Sequence, residues 1–318
     1  MDDPIITVDN LSKRFRDGTR ALDGLSVTIG RGAIYGLLGS NGAGKTTLIR
    51  ILATLMQPTA GAARVAGYDV VRQAASVRES IGLAGQFAAV DDHLTGRENI
   101  IMIGRLYGLT RRDATGRAKH LLDRIDLADA ADRQVKTYSG GMRRRIDLAA
   151  SLVGRPRMLF LDEPTTGVDP TSRHGLWLLV RELAAEGTTI LLTTQYLDEA
   201  DRLADRIAVL DHGRLLTEGT TTELKDRTGG AVIALEMAPE HIQSALIILQ
   251  PLAARRDRER DRIVLPAARG PQTLRHALGV LGDAGIDPLD VALHRPTLDD
   301  VFLTLTRQPA CPPGGRPA

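Results

Sequence analysis

The sequence predicts an α/β fold with a phosphate-loop core, followed by a small α+β domain. Three observations carry this expectation. The apolar strand Ile34-Tyr-Gly-Leu-Leu38 runs through a glycine-rich turn into a helix. Other short apolar runs, such as Met158-Leu-Phe-Leu161, are separated by helical segments, as the buried strands of a parallel sheet are. From about residue 231 a second pattern begins, reading strand, helix, strand, strand, helix, strand, which is the ferredoxin-like order.

The chain has 318 residues and is 43% hydrophobic, enough for one domain of ordinary size and a smaller one. The expected layout is a core at residues 1–226 with a helical insertion at about 87–155, a C-terminal regulatory or assembly domain at 227–307, which is small and lacks a recognisable catalytic cluster, and a disordered Pro/Gly-rich tail at 308–318. Lys+Arg 41 against Asp+Glu 39 leaves a formal charge of +2, too balanced for a nucleic-acid footprint spread over the protein. The single cysteine, Cys311, cannot form an intrachain disulfide, which agrees with a reducing compartment. Met1-Asp-Asp-Pro-Ile-Ile lacks the basic and apolar regions of a secretion signal. No apolar run approaches the roughly 20 residues of a membrane-spanning helix. Work at a membrane therefore requires another chain to do the spanning.

Taken in order, residues 5–8 and Leu25-Ser-Val-Thr-Ile29 alternate as strands of an N-terminal antiparallel layer. Phe15, one of four phenylalanines, stands between them, where its ring could pack in the core or stack on a base. Gly39-Ser40-Asn41-Gly42-Ala43-Gly44-Lys45-Thr46-Thr47 then satisfies G-x-x-x-x-G-K-[ST] in full. Gly39, Gly42 and Gly44 admit backbone angles closed to other residues, so consecutive N–H groups can turn inward around a phosphate chain. Lys45 would reach the β- and γ-phosphates and Thr46 would offer its hydroxyl to Mg²⁺. The helix that opens here aims its positive end at the same anion. Leu48, Ile49, Ile51 and Leu52 give that helix a buried side.

Thr95-Gly-Arg-Glu98 is a capping box ahead of Ile100, Ile101, Ile103, Leu106 and Tyr107. Leu121, Leu122 and Ile125 mark a second, amphipathic helix. Tyr138-Ser139-Gly140-Gly141-Met142 places Ser139 as the N-cap of a third helix, forming a second anion site. One chain cannot easily bring that stretch onto its own phosphate loop. Met158-Leu-Phe-Leu-Asp162-Glu163 puts two carboxylates at the carboxyl end of a buried strand, where open α/β sheets hold ligands. Asp162 would hold Mg²⁺, and Glu163, expected on the opposite side, could accept a proton from an attacking water. Thr188-Thr-Ile-Leu-Leu-Thr-Thr194 and Ile207-Ala-Val-Leu210 read as further strands, with a turn at Asp211-His-Gly-Arg214. In the second domain Arg255-Arg-Asp-Arg-Glu-Arg-Asp-Arg262 mixes both signs, as a solvated hairpin does, and Thr297-Leu-Asp-Asp300 caps a last helix.

In order and spacing, residues 39–47, Gln86 after an apolar strand, Tyr138-Ser-Gly-Gly-Met142, Leu161-Asp-Glu-Pro164 and Gly167-Val-Asp169-Pro170 resemble an ABC-transporter nucleotide-binding subunit. Gly85-Gln-Phe-Ala-Ala-Val-Asp-Asp, Thr194-Gln-Tyr-Leu-Asp-Glu-Ala-Asp and Pro296-Thr-Leu-Asp-Asp-Val-Phe-Leu303 are similar to the daunorubicin-resistance type of drug-export ATPases. The resemblance implies ATP and Mg²⁺, and a homodimer that sandwiches ATP between one phosphate loop and the partner's Ser139, Gly140 and Gly141. It implies that Phe15 stacks on adenine, that Gln86 senses Mg²⁺ and the membrane partner, and that Asp169 links the two sites. A separate transmembrane permease would be driven from the cytoplasmic face of the membrane, and the cargo would be a hydrophobic small molecule such as an antibiotic.

Two departures stand out. Tyr138 and Met142 replace the more usual Leu and Gln, and Gln195 occupies the position most often held by a histidine that contacts the γ-phosphate. A glutamine amide can donate to phosphate but does not titrate near neutral pH, so hydrolysis should lean on Glu163 as base, with Lys45 and Gln195 positioning. Two rival readings stand beside this one. A soluble ABC ATPase acting on ribosomes or nucleic acid usually has two nucleotide domains or a long coiled coil, and the sequence shows neither, so no nucleic-acid partner is expected. A nucleotide-gated sequestering protein would bind the compound in its C-terminal domain, against which the few aromatics argue mildly.

Overall fold

The computed structural model describes residues 4–85, 90–226, 231–257, 261–267, 269–294, 297–299 and 301. The chain forms two compact units, Met1–Thr220 and Thr221–Ala318. In the first, β1 (Ile6–Arg14) and β2 (Arg20–Ile29) are an antiparallel pair, and β3 (Ile34–Leu38) leads into α1 (Lys45–Leu52). β4 (Ala60–Val65) and β5 (Tyr68–Asp69) join the first pair in a four-stranded sheet ordered β2-β1-β4-β5. α2 (Ala74–Ser80) and β6 (Ile81–Ala84) precede the helical insertion, made of α3 (Gly96–Leu106), α4 (Arg111–Arg124) and α5 (Gly140–Ser151). β7 (Met158–Asp162), α6 (Pro170–Ala185), β8 (Thr189–Thr194), α7 (Leu197–Leu203), β9 (Arg206–Asp211) and β10 (Arg214–Gly219) complete the unit.

The central sheet is ordered β10-β9-β3-β8-β7-β6. It is parallel from β9 to β6, with β10 antiparallel at the edge. Its strands are apolar throughout because both faces are covered, and the period of two sorts their side chains. Tyr35, Leu37, Met158, Phe160, Leu191 and Leu210 belong to a core shared with the antiparallel sheet and α1. Ile34, Leu159, Leu161, Ile190 and Leu192 belong to a second core shared with the helical insertion and α6.

The expected capping box is present. Thr95 Oγ1 accepts from Glu98 N (3.1 Å), and Glu98 Oε2 accepts from Thr95 N (2.8 Å). On α3, Ile100 is fully buried, whereas Leu106 is 80% exposed, so the apolar periodicity overstates the burial of the helix's last turn.

The second unit holds α8 (Thr221–Asp226), β11 (Val232–Glu236), α9 (Ile242–Ile248), β12 (Arg255–Asp257), β13 (Arg262–Pro266), α10 (Pro271–Asp283) and β14 (Asp290–His294). Its antiparallel sheet is ordered β12-β13-β11-β14, the ferredoxin-like arrangement of a βαββαβ chain. Ile233, Leu235, Ile263, Leu265, Ala245 and Leu281 form a core of its own. Among the described residues of the charged run, Arg256 pairs with Asp261 (2.6 Å) and Arg262 with Asp257 (3.3 Å). The tail at 308–318 lies outside the described residues.

Candidate active site

β3 delivers the chain to the carboxyl edge of the central sheet, where the phosphate loop must reverse direction within a few residues. Gly42 (φ +84) and Gly44 (φ +106) take left-handed angles. Gly39 does not, which corrects the expected reason for it. A Cβ there would lie 2.5 Å from the Leu210 carbonyl oxygen and 3.0 Å from Ala43 Cβ, so Gly39 is required by close approach to β9. The loop is pinned by Ala43 N donating to Ser40 O (3.2 Å) and by Gly213 N donating to Ala43 O (3.0 Å). Lys45, only 4% exposed, donates from Nζ to the carbonyls of Gly39 (2.7 Å) and Ser40 (3.1 Å). Burial draws its ammonium below the ordinary lysine range, and the charges of Glu163 and Asp162 oppose that shift.

Both carboxylates face this loop. Thr46 Oγ1 donates to Asp162 Oδ1 at 3.3 Å, and Glu163 Oε1 lies 4.0 Å from Lys45 Nζ. The expectation that Glu163 points to the opposite side is wrong, because strand alternation stops at Asp162. Glu163 itself has φ +50, and this left-handed angle turns its own side chain back toward the loop. Thr193 at the end of β8 holds the pair. Its Oγ1 donates to Asp162 Oδ1 (2.6 Å) and accepts from Glu163 N (3.1 Å), while Thr166 Oγ1 donates to Glu163 Oε2 (3.2 Å). The Thr46 hydroxyl and the Asp162 carboxylate are hard oxygen donors side by side, a set that suits Mg²⁺ completed by phosphate oxygens and water.

Above the loop is a cleft of about 360 Å³, lined by residues 40–47, Glu163, Phe15 and Thr19 from the β1–β2 connection, and Arg20 and Ala21 at the start of β2. Phe15 is 37% exposed at its edge, so its ring is available to a ligand. Gln86 lies outside the described residues. Gln195 is exposed immediately after β8 and is not among the residues lining the cleft.

Ser139, Gly140 and Gly141 do not line this cleft either. Ser139 caps α5, its Oγ accepting from Met142 N (3.3 Å). A Cβ on Gly141 would sit 2.5 Å from Ser172 Oγ and 3.8 Å from Asp169 Oδ2, so this glycine lets α5 approach the start of α6. Asp169 caps α6 by accepting from Ser172 N (3.0 Å). The structure therefore joins Ser139 and Gly141 to Asp169, and joins the phosphate loop to Asp162 and Glu163, as two separate groups within one chain. Thr193 and Arg20 were missed in the sequence. A threonine in an apolar strand reads only as β-favouring, and Arg20 carries no motif.

Residues 22–166 match the family model described as ABC transporter. The daunorubicin resistance ATP-binding protein DrrA3 of Streptomyces coeruleorubidus is 52% identical, over 96% of this chain and 97% of that one. The Nod factor export ATP-binding protein I of Ralstonia nicotianae is 40% identical, over 95% and 94%. Among solved structures, cbiO1 of Clostridium perfringens, part of the ABC transporter complex cbiONQ, superposes with a TM-score of 0.66 at 26% identity, over 79% of this chain and 97% of that one. Relatives that account for the chain almost end to end leave no part of the core to another superfamily, and the protein belongs to the ABC transporter family as an ATP-binding, ATP-hydrolysing subunit of the daunorubicin-resistance type.

Proposed function

We propose that this ATPase powers export of a hydrophobic small molecule, of the antibiotic class, through a separate membrane permease. The observation that carries the chemistry is that Lys45, Thr46 and Glu163 line one cleft, with the Asp162 carboxylate held directly behind Thr46. The antibiotic class is supported by a near full-length relative whose name is daunorubicin resistance. The rival reading, a soluble ATPase acting on ribosomes or nucleic acid, gains no support from the relatives.

In this reading Gly39 to Thr47 and the start of α1 cradle the triphosphate, Lys45 balances its charge, and Phe15 stacks on adenine. Mg²⁺ on Thr46 and Asp162 would neutralise charge on the β- and γ-oxygens. Glu163 takes the proton of the attacking water, held in place by Thr166 and the Thr193 bonds. Ser139, Gly140 and Gly141 complete the γ-phosphate site of a second copy, Asp169 ties the two sites together, and Gln195 and Gln86 position γ-phosphate and Mg²⁺.

No helix among the described residues is long and apolar enough to cross a membrane, so the protein would sit on the cytoplasmic face against its permease. Tyr107, exposed just after α3, lines a cleft of about 860 Å³ together with Arg112, Arg117, His120 and Arg155, and exposed Met102 and Leu106 lie on the same helix, a surface suited to an amphipathic, acidic permease segment. Glu163→Gln tests the chemistry. It is expected to bind ATP as the native chain does, to stay in a closed dimer and to stop turning over; normal turnover would sink the mechanism. Membrane recovery that depends on a co-expressed permease and falls with Arg112→Glu plus Leu106→Glu tests the coupling, and recovery without any permease would count against it.

A further inference from the structure

We propose that Arg144 is the positioning residue for hydrolysis, clamping the turn that carries Glu163 to the helix that opens at Ser139. The inference rests on Glu163 being the base. Arg144 lies on α5, four residues past Gly140, and its guanidinium is spread over main-chain carbonyls of two strand ends. Nε donates to Pro164 O (2.6 Å), and Nη2 donates to Asp162 O (3.1 Å) and Glu163 O (3.0 Å). Nη1 donates to Gly85 O, just past the end of β6, and pairs with Asp147 Oδ2 at 3.5 Å. Three successive carbonyls after β7 are thus held by one side chain.

The turn needs an outside hold. Glu163 is left-handed, a conformation its own side chain disfavours, and Thr193, Thr166 and the Lys45 ammonium are its other holds among the described residues. The planar fork of arginine has five N–H donors in fixed directions, so it sets the relative positions of all the carbonyls it touches. Lysine has the charge but not the fork. Burial draws the Arg144 guanidinium below the ordinary arginine range, and the carboxylates of Asp147, Asp162, Glu199 and Glu163 oppose that shift. Glu199 is itself fully buried on α7, with Oε1 accepting from Trp177 Nε1 (3.0 Å) and Oε2 without a hydrogen-bond partner among the described residues. A charged fork at this depth is retained for geometry: one rigid group spans α5, β6 and β7, so a movement of the Ser139 helix is passed directly to the catalytic turn.

The test compares Arg144→Lys, Arg144→Gln and Glu163→Gln in the purified full-length chain, reading nucleotide Kd, kcat, KM and Tm. Arg144→Lys is expected to leave nucleotide Kd within about twofold while kcat falls by about 100-fold, the scale of a misplaced reacting group. In the Glu163→Gln background the same change should add almost nothing, because both act on one step. Should Arg144→Lys fail to fold, Arg144→Gln, which can still donate to two carbonyls, is expected to show the same split with a smaller loss of kcat. Native kcat in Arg144→Lys, beside an inactive Glu163→Gln, overturns the clamp and leaves the base assignment standing. A parallel fall of kcat, nucleotide affinity and Tm also overturns it, since that is the mark of a packing role. Normal turnover in Glu163→Gln fails the base assignment instead.

Discussion

Thr193 shows how much one hydroxyl can decide. Its hydroxyl touches both the Asp162 carboxylate and the Glu163 backbone N–H, and it does so from a neighbouring strand. Hydrogen bonds to a charged group contribute about 1.5–3 kcal/mol. Thr193→Val keeps the shape of the side chain and removes the donor, so kcat is expected to fall by about 10- to 100-fold with ATP affinity little changed. Equal kcat for the two proteins would show that Asp162 is held without it. Gln195 makes the opposite kind of statement, since it carries no proton that titrates near neutral pH. Gln195→His would add a group titrating at about pH 6.5. The pH–rate profile of that variant is expected to gain an inflection between about pH 6 and 7.5 that the native profile lacks. Superimposable profiles would mean that position 195 does not approach the reacting phosphate.

Elements, rather than residues, set the loop and the insertion in place. The phosphate loop is pressed against β9, and Gly39 is where the backbones meet. Gly39→Ala forces the loop away from Leu210 O, with an expected loss of about 1–3 kcal/mol in stability and of at least about tenfold in ATP affinity, measurable by calorimetry. Native affinity would show that the loop yields without changing its grip. On the insertion, the capping box at Thr95 closes the first turn of α3 far from the phosphate loop. Thr95→Ala should cost about 1 kcal/mol, seen as a Tm lower by about 2–4 °C, with kcat per folded molecule unchanged. A kcat change larger than the stability loss would mean that the cap also serves catalysis.

At the scale of the molecule, each unit has its own sheet and its own core, so the first does not need the second in order to fold. We expect a chain ending after Thr220 to bind ATP within about twofold of the full chain. Its turnover should fall, because the C-terminal domain is read as stabilising the dimer or adjusting its closing. Native turnover and native dimerisation in the shortened chain would remove that role. The two halves of the nucleotide site point the same way. Ser139 and Gly141 do not line the cleft that holds Lys45, and Gly141 lies against Asp169 instead, which supports the proposal that a second copy supplies the Ser139 stretch.

Much of this was legible in the chain itself. The phosphate loop, the Asp162 and Glu163 pair and the apolar strands β3, β7, β8 and β9 are local patterns, and both helix caps at Thr95 and Ser139 were found where their sequences put them. β4 was not foreseen, because Ala60-Gly-Ala-Ala-Arg-Val65 is poor in β-branched and aromatic residues; it is a strand because β1 supplies its hydrogen bonds. Thr193 meets its partners 30 and 31 positions away, Arg144 meets carbonyls 18 to 59 positions away, Gly39 is decided by the much later strand β9, and the direction of Glu163 by the reversal of one backbone angle. The sequence by itself determined which chemistry the chain carries, since a triphosphate cradle is written in consecutive residues. Only the tertiary structure decided how the base is aimed, because aim depends on contacts among β6, β7, β8 and α5, and contacts between distant segments leave no periodic trace along the chain.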